Sequence, residues 1–241
     1  MRVKTGISGL DELMDGGFPR GRCVLVSGEI GTGKSIFAMQ YIARGTMDYG
    51  ELGTFVSLKR KKEALYQDAR ELGLHFQRLE KKRNLQLLGG PLTRLIDGEK
   101  GTAEIFSEIL ESIKAFESKR LALDGMGSLC MFSQDEFALW RELAKFKEKL
   151  AKLGCTSVLT SEIREGREEL SRLGVEEEIA DGVIVLYYEG EGLTRDRALE
   201  IRKMRGTEHS NQLHFFDITD KGIVIKKMPE SPKVPGGRRS P

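Results

Sequence analysis

The chain of 241 residues has few cysteines and no long apolar run. Its three cysteines, Cys23, Cys130 and Cys155, are far apart and form no C-x-x-C pair, which argues against a disulfide framework or a zinc site. A membrane helix needs roughly 18–20 apolar residues, and the longest apolar run here is Val183–Tyr188. The first residues lack the apolar stretch of a secretion signal. We therefore expect a soluble, cytoplasmic protein with buried thiols and no membrane association.

The sequence also has little excess of charge of either sign. Lys and Arg total 39, Asp and Glu total 37, and the net charge is +2. The segment 228–241 alone contributes +2, from three basic residues against one acidic residue, so residues 1–227 are balanced. That balance excludes a strongly basic nucleic-acid-binding domain, although it allows a local basic patch. Four of the six prolines also lie in 228–241, so we expect one domain over 1–227 and a disordered basic tail over 228–241.

Strand and helix patterns alternate along most of the chain. Strands are predicted at 22–27, 53–58, 84–88, 121–124 and 155–160, and amphipathic helices at 36–42, 62–72, 102–116 and 136–150. Helices of this length between strands indicate β-α-β units. The sequence therefore predicts an α/β fold with a mainly parallel twisted sheet covered by helices on both faces.

The helix at 136–150 carries a start signal and an apolar face. Ser133-x-x-Glu136 matches a capping box, which predicts the beginning of the helix. We expect one buried face, made by Phe137, Trp140, Leu143, Phe146 and Leu150.

After Gly182 the pattern changes to strands joined by short polar connections. These strands are predicted at Val183–Tyr188, Ala198–Met204, Leu213–Ile218 and Gly222–Ile225. Short connections favour antiparallel neighbours. The sheet should therefore gain an antiparallel extension at its C-terminal end.

The most specific motif matches G-x-x-x-x-G-K-[ST] between a predicted strand and a predicted helix. It comprises Gly28, Glu29, Ile30, Gly31, Thr32, Gly33, Lys34 and Ser35, with Ile36 following in the helix. Glycines let successive N–H groups point into one concavity, and the helix adds its positive dipole end. In such loops the lysine contacts the β- and γ-phosphates and the hydroxyl ligates Mg²⁺. We expect ATP or ADP binding with Mg²⁺ here, with Lys34 also serving catalysis.

An acidic residue ends the apolar strand Leu121-Ala-Leu-Asp124. In a parallel sheet, an acid at this end lies near the phosphate-binding loop and can hold a magnesium-bound water. Asp124 can also be read as an ordinary aspartate that begins a turn before Gly125. With the phosphate loop present, we predict that Ser35 and Asp124 hold the metal.

Together with these motifs, three further stretches resemble RecA-superfamily ATPases of the KaiC-like branch, which is related to archaeal RadA paralogues. They are the opening Thr5–Gly21, the segment Gly174–Leu186, and Lys203-Met-Arg-Gly-Thr-Glu-His209, which is similar to the K-M-R-G-x-x-H signature of that family. The resemblance covers residues 4–227. It implies a RecA-like core.

The resemblance also implies an assembly. Proteins of this kind form homo-oligomeric rings, commonly hexamers, with ATP between subunits. Lys203 and Arg205 would then act at the γ-phosphate of the neighbouring subunit, with His209 nearby; a cation supplied there stabilises charge on the transferring phosphoryl group. Read without the family, these residues belong to a strand with solvated charges. The stretch Thr160-Ser161-Glu162 would lie where the family places groups that sense the γ-phosphate, or it is simply a strand that enters a loop.

The sequence departs from the resemblance at one position that matters for catalysis. KaiC-like ATPases usually end the strand after the phosphate-loop helix with two glutamates, one of which activates water, whereas Lys59-Arg60 follow that strand here. A cationic side chain is a poor proton acceptor, and Glu63 lies about a helical turn further on. Loss of a general base costs on the order of 10²–10⁴ in rate. We expect nucleotide binding with weak or absent hydrolysis.

Two alternatives stay open. One is a working ATPase or autokinase that uses another base. The other is a DNA-binding recombination mediator like the RadA paralogues, because basic runs occur at 59–62 and 81–83. Acidic residues interleave nearby and no aromatic residue is placed to stack on bases, which favours a solvated face. A protein partner is also open.

Overall fold

The computed structural model describes residues 1–89, 101–131, 135–164, 170–172, 174–189 and 195–227. The strands are β1 Arg2–Val3, β2 Phe18–Pro19, β3 Cys23–Gly28, β4 Gly53–Ser57, β5 Leu85–Gly89, β6 Arg120–Asp124, β7 Thr156–Glu162, β8 Gly182–Glu189, β9 Asp196–Met204, β10 His214–Thr219 and β11 Gly222–Ile225. The α-helices are α1 Lys34–Tyr49, α2 Lys62–Glu71, α3 Phe76–Lys81, α4 Thr102–Phe116, α5 Glu136–Lys152 and α6 Glu176–Ile179, and short 3₁₀ helices lie at Asp11–Leu13 and Met126–Met131.

Nine strands of the described residues form one sheet in the order β11-β10-β9-β8-β3-β7-β6-β4-β5. The pairs from β8 to β5 are parallel, and β9, β10 and β11 add to β8 in antiparallel fashion. The predicted α/β class, with its antiparallel C-terminal extension, is therefore confirmed. A separate antiparallel pair, β1 with β2, was not predicted.

The sheet carries an apolar core on each face. One core packs α1, α2 and α3 through residues such as Phe37, Leu65 and Phe76. The other packs α4, α5 and α6 through residues such as Ile109, Phe146 and Ile179. Side chains of β3 alternate between the two, since Val24 and Val26 belong to the first core and Leu25 to the second. Both faces of β3 are therefore buried.

The start of α5 differs from the prediction. Its N-cap is Asp135, whose carboxylate accepts the N–H of Ala138 at 3.0 Å. The capping box assigned to Ser133 and Glu136 is therefore wrong, because Asp135 is the N-cap and accepts the N–H of the third helical residue, and Glu136 is the first helical residue. Ser133 itself lies outside the described residues.

The buried face of α5 also differs. Leu139, Leu143, Phe146 and Leu150 are buried, whereas Phe137 is 69% exposed and Trp140 is 36% exposed. The four buried positions repeat at intervals of four and three residues and form one stripe, and Phe137 points away from that stripe. The assignment of Phe137 and Trp140 to the core was wrong.

Cys23 and Cys155 are buried, and burial raises the pKa of each thiol, to about 11 and about 12. The short helix α3 had not been predicted. No helix in the described part of the chain is long and apolar enough to cross a bilayer.

Candidate nucleotide-binding site

The phosphate-loop motif lies at the carboxyl end of β3, in the middle of the sheet. Gly31 and Gly33 have φ values of 83° and 111°, which favour glycine. A Cβ on Gly28 would lie 2.4 Å from the carbonyl oxygen of Leu186 on β8, so no larger residue fits there. The backbone therefore curves tightly between β3 and α1, as a phosphate cradle requires.

The first turn of α1 lies next to this loop, and the first N–H groups of any α-helix have no intrahelical partner. The N-cap of α1 is Gly33, and no side chain caps the helix. The positive end of the helix dipole and these N–H groups together favour an anion. Within the loop, Thr32 donates to the Glu29 carbonyl at 2.9 Å, and Ile30 is 84% exposed. Ile36 packs against the core and anchors the helix.

Lys34 lies folded against the loop. Its ammonium donates to the carbonyl oxygens of Gly28 at 2.9 Å and Glu29 at 2.7 Å. Burial lowers the pKa of Lys34, and the nearby carboxylates of Glu162 and Asp124 oppose that shift. The ammonium is thus positioned where phosphate oxygens can replace the two carbonyl groups.

Ser35 and Asp124 meet as predicted. The Ser35 hydroxyl lies 3.0 Å from both carboxylate oxygens of Asp124. A hydroxyl and a carboxylate are hard oxygen ligands, and Mg²⁺ usually takes one or two protein ligands together with phosphate oxygens and water. No cluster of three or more His, Cys, Asp or Glu side chains that could hold a metal occurs among the described residues. This pair fits a magnesium ion shared with a nucleotide.

Thr160 fixes the orientation of Asp124. The Thr160 hydroxyl donates to Asp124 Oδ1 at 2.7 Å and accepts the N–H of Gly125 at 2.9 Å. β7 and β6 are adjacent and parallel, so their carboxyl ends come together. Within the Thr160-Ser161-Glu162 stretch, Thr160 therefore contacts the acid of the metal pair directly.

Lys59 and Arg60, which follow β4, both have acidic partners. The Lys59 ammonium lies 2.9 Å from Glu162 Oε1, at the end of β7. Arg60 pairs with Asp68 on α2. The hydrogen bond from Lys59 lowers the pKa of Glu162. Glu162 is thus a carboxylate at the site, and it forms an ion pair with Lys59. The sequence alone had not linked these two residues.

A buried carboxyl group that had not been predicted is hydrogen-bonded to β7, next to Thr160. Glu176 accepts hydrogen bonds from Ser161 at 2.8 Å and Ser171 at 2.7 Å and is 1% exposed. Burial raises its pKa, and the serine hydrogen bonds oppose that shift. Only the acidic run Glu176-Glu177-Glu178 in the sequence offered a signal, and it gave no indication of burial.

Two of the residues expected to act on a neighbouring subunit, Lys203 and Arg205, lie away from the phosphate loop of their own chain. Lys203 donates to the carbonyls of Glu177 at 3.0 Å and Ala180 at 2.7 Å, at the C-terminal end of α6. Burial lowers its pKa. Lys203 on β9 pairs in register with Val183 on β8. The side chain of Val183 belongs to the second core, on the sheet face opposite α1.

Arg205 lies at the opposite end of the sheet from the phosphate loop. Its N–H donates to the Asp181 carbonyl, and the N–H of Asp181 donates to the Cys23 carbonyl at the amino end of β3. The loop begins at the other end of that strand, roughly 16 Å away at about 3.3 Å per residue. The Arg205 guanidinium is 54% exposed and 3.9 Å from Asp181. His209 Nδ1 lies 3.0 Å from the Ser210 carbonyl oxygen.

The KaiC ATPase family matches residues 3–230 of the sequence. The chain belongs to this family. Family membership and the phosphate loop together identify an ATP-binding P-loop NTPase with a RecA-like fold.

Individual relatives of the KaiC family agree with this assignment. The chain is 33% identical over 227 residues to the circadian clock oscillator protein KaiC of Synechococcus elongatus, covering 93% of the chain and 44% of that protein. It is 32% identical to the UPF0273 protein MJ1359 of Methanocaldococcus jannaschii, covering 93% of the chain and 96% of that protein. The chain thus spans a little under half the length of the clock protein.

The crystal structure of the KaiC-like protein PH0186 from Pyrococcus horikoshii superimposes with a TM-score of 0.83. The two sequences are 36% identical, and the match covers 94% of this chain and 99% of that one. The RecA-like fold inferred from the resemblance is therefore confirmed.

Proposed function

We propose that this protein binds Mg-ATP and Mg-ADP between the subunits of a homo-oligomeric ring, commonly a hexamer, and hydrolyses ATP weakly or not at all. Residues 1–227 would form one nucleotide-binding domain, with 228–241 as a tail. The observation that carries the proposal is a contrast within one site. The phosphate loop and the Ser35–Asp124 pair are both present, whereas Lys59 and Arg60 follow β4, where the resemblance to KaiC-like ATPases implies two glutamates.

Weak hydrolysis follows from the proton chemistry of the site. The attacking water must lose a proton, and neither an arginine nor a protonated lysine can accept it. Glu162 is a carboxylate near the phosphate loop, but the ammonium of Lys59 lies 2.9 Å from it, and Arg172 lies 3.6 Å from its other oxygen. Both cations stabilise the charged form of Glu162 and make it a weaker base. Glu162 is thus a poor substitute for the missing glutamates.

Binding between subunits is supported by the position of Arg205. A guanidinium at the amino end of β3 cannot reach a phosphate at the carboxyl end in the same chain. Its exposed face can reach a neighbouring molecule, and a cation delivered in this way stabilises negative charge on the γ-phosphate. Ligand binding at a shared interface also stabilises the assembly by mass action, without turnover. The nucleotide would then act as a switch or as a link between subunits.

The DNA-binding alternative is less well supported. Of the basic run 59–62, Lys59 pairs with Glu162, Arg60 with Asp68 and Lys62 with Glu80. Cations neutralised in this way contribute less to phosphate binding. No observation favours the autokinase alternative.

The proposal is tested by measuring binding and turnover on the same preparation. Calorimetric titration of the purified protein with ATP and ADP, with and without Mg²⁺, should show binding that Mg²⁺ strengthens. Phosphate release from the same samples should stay near the blank. Absence of binding for both nucleotides would overturn the proposal, and turnover at rates typical of the family would overturn its catalytic part.

A further inference from the structure

The side chain of Lys59 lies over the end of the acidic strand β6. A Cβ placed on Gly125, the residue after Asp124, would lie 3.7 Å from Lys59 Cγ and 3.8 Å from Lys59 Cδ. Lys59 therefore passes close to the metal-binding acid before its ammonium reaches Glu162. About 43% of its side chain is exposed. A flexible, half-exposed lysine can exchange partners by rotamer changes alone.

The partner of Lys59 lies beside the phosphate loop. Glu162 pairs in register with Gly28, the first residue of the motif, and the N–H of Ile163 donates to the Gly28 carbonyl at 2.9 Å. Glu162 and Lys59 both act on the pKa of Lys34, in opposite directions. The Lys59–Glu162 pair is thus adjacent to the ammonium that the motif assigns to the β- and γ-phosphates.

The carboxylate of Glu162 would repel the phosphates of a bound nucleotide. A bound nucleotide places negative charge beside Glu162, and two like charges in a partly buried site repel strongly. The ammonium of Lys59 neutralises the carboxylate of Glu162. A γ-phosphate, which has more charge and more acceptor oxygens than a carboxylate, competes for the same ammonium. ADP ends at the β-phosphate and does not compete in this way.

We infer that Lys59 is a specificity-determining residue. When ATP binds, the ammonium of Lys59 moves from Glu162 to the γ-phosphate within its own subunit, so that the site prefers ATP to ADP. This inference rests on the proposed function and deepens it. At the position where the resemblance implies a glutamate, Lys59 then does more than fail as a base, because it binds the triphosphate. Glu162 acts as the positioning residue that holds Lys59 when no triphosphate is present.

The test is the ratio of affinities for ATP and ADP in three variants. Affinities of a non-hydrolysable ATP analogue and of ADP are measured by titration calorimetry at fixed free Mg²⁺. Lys59→Met should weaken binding of the analogue by about tenfold or more, the usual scale of a charge-assisted contact, with a much smaller effect on ADP. Glu162→Gln should shift the ratio in the opposite direction. Lys61→Met, an exposed lysine two residues away, should leave the ratio unchanged.

The possible results separate this inference from the proposed function. A parent protein that binds both nucleotides, with equal losses for both in Lys59→Met, would overturn the role of Lys59 and leave the proposed function intact. A Glu162→Gln variant with a lower preference for ATP would also contradict it. A parent that binds neither nucleotide would overturn the proposed function, and the inference with it. Opposite shifts in the two variants would support the inference.

Discussion

The hydroxyl of Ser35 lies 3.0 Å from both carboxylate oxygens of Asp124, although 89 residues separate them in the chain. Ser35 lies in the first turn of α1, and Asp124 ends β6. Thr160 holds the same carboxylate from the next strand. Three elements, α1, β6 and β7, therefore converge on one pair of oxygen ligands.

Removal of either member of this pair should abolish the effect of Mg²⁺ on nucleotide binding. Ser35→Ala removes the hydroxyl, and Asp124→Asn removes the charge that attracts the cation. We expect each variant to bind ATP with nearly the same affinity in Mg²⁺ and in EDTA, whereas the parent binds more tightly in Mg²⁺. Thermal shift or calorimetry in the two buffers measures this. An undiminished effect of Mg²⁺ in both variants would exclude the pair as the metal site.

Lys34→Ala should reduce nucleotide affinity by at least about 100-fold, which corresponds to about 2.7 kcal/mol. The ammonium makes charge-assisted contacts to phosphate that alanine cannot replace. Fluorescent-nucleotide binding measures the loss. Lys61→Ala is the matched control, because it removes an exposed lysine from the start of α2. Equal affinity in Lys34→Ala and the parent would contradict the phosphate-loop assignment.

Arg205→Ala should weaken assembly more in ATP than in its absence. The side chain is half-exposed and lies at the end of the sheet remote from its own phosphate loop, so the proposed contact with nucleotide would be made in trans. Sedimentation velocity with and without ATP gives the mass of the assembly. Arg70→Ala, an exposed arginine on α2, serves as the control. Identical profiles for Arg205→Ala and the parent in both conditions would count against the trans role.

Glu176→Gln should change how stability depends on pH. Because burial raises the pKa of Glu176, the folded protein binds this proton more tightly than the unfolded chain. Its contribution to stability is complete below the unfolded pKa of about 4.3 and is lost as pH rises through the raised pKa. Glutamine stays neutral at both pH values. The unfolding free energy of the variant minus that of the parent should therefore be more positive at pH 8 than at pH 5.

Urea denaturation at the two pH values measures this difference. Glu148→Gln, at an exposed site on α5, should show little change between them. If the difference in unfolding free energy between Glu176→Gln and the parent is the same at both pH values, Glu176 does not titrate as its burial requires.

Much of the fold could be predicted because its signals are local. Apolar runs and helical periodicity located the main strands, and the change of connection length after Gly182 predicted the antiparallel extension. The short helix α3, Phe76–Lys81, was missed because six residues give little periodic pattern. Phe137 was assigned to the wrong face, because the spacing of Leu139, Leu143, Phe146 and Leu150 defines the buried stripe.

The candidate site was predictable only where a motif fixes the spacing or a strand ends in an acid. Ser35 and Asp124 were predicted together for that reason. The contact between Lys59 and Glu162 depends on strand order, because β6 lies between β4 and β7 in the sheet, and one sequence does not give that order. The burial of Glu176 could not be predicted for a related reason, because its partner Ser161 lies on another element, β7.

In the proposed function, Lys59 and Arg60 occupy the place of a catalytic base beside the phosphate loop and the Ser35–Asp124 pair. This assignment is tested most directly by phosphate release with Mg-ATP from the parent and from Lys59→Glu/Arg60→Glu. Lys34→Ala is the blank, and Lys59→Gln/Arg60→Gln removes the cations without supplying carboxylates. We predict little turnover in the parent and in the glutamine variant, and a gain of about 10²-fold or more in the glutamate variant. Rapid turnover by the parent, lost on Lys34→Ala, would contradict this assignment.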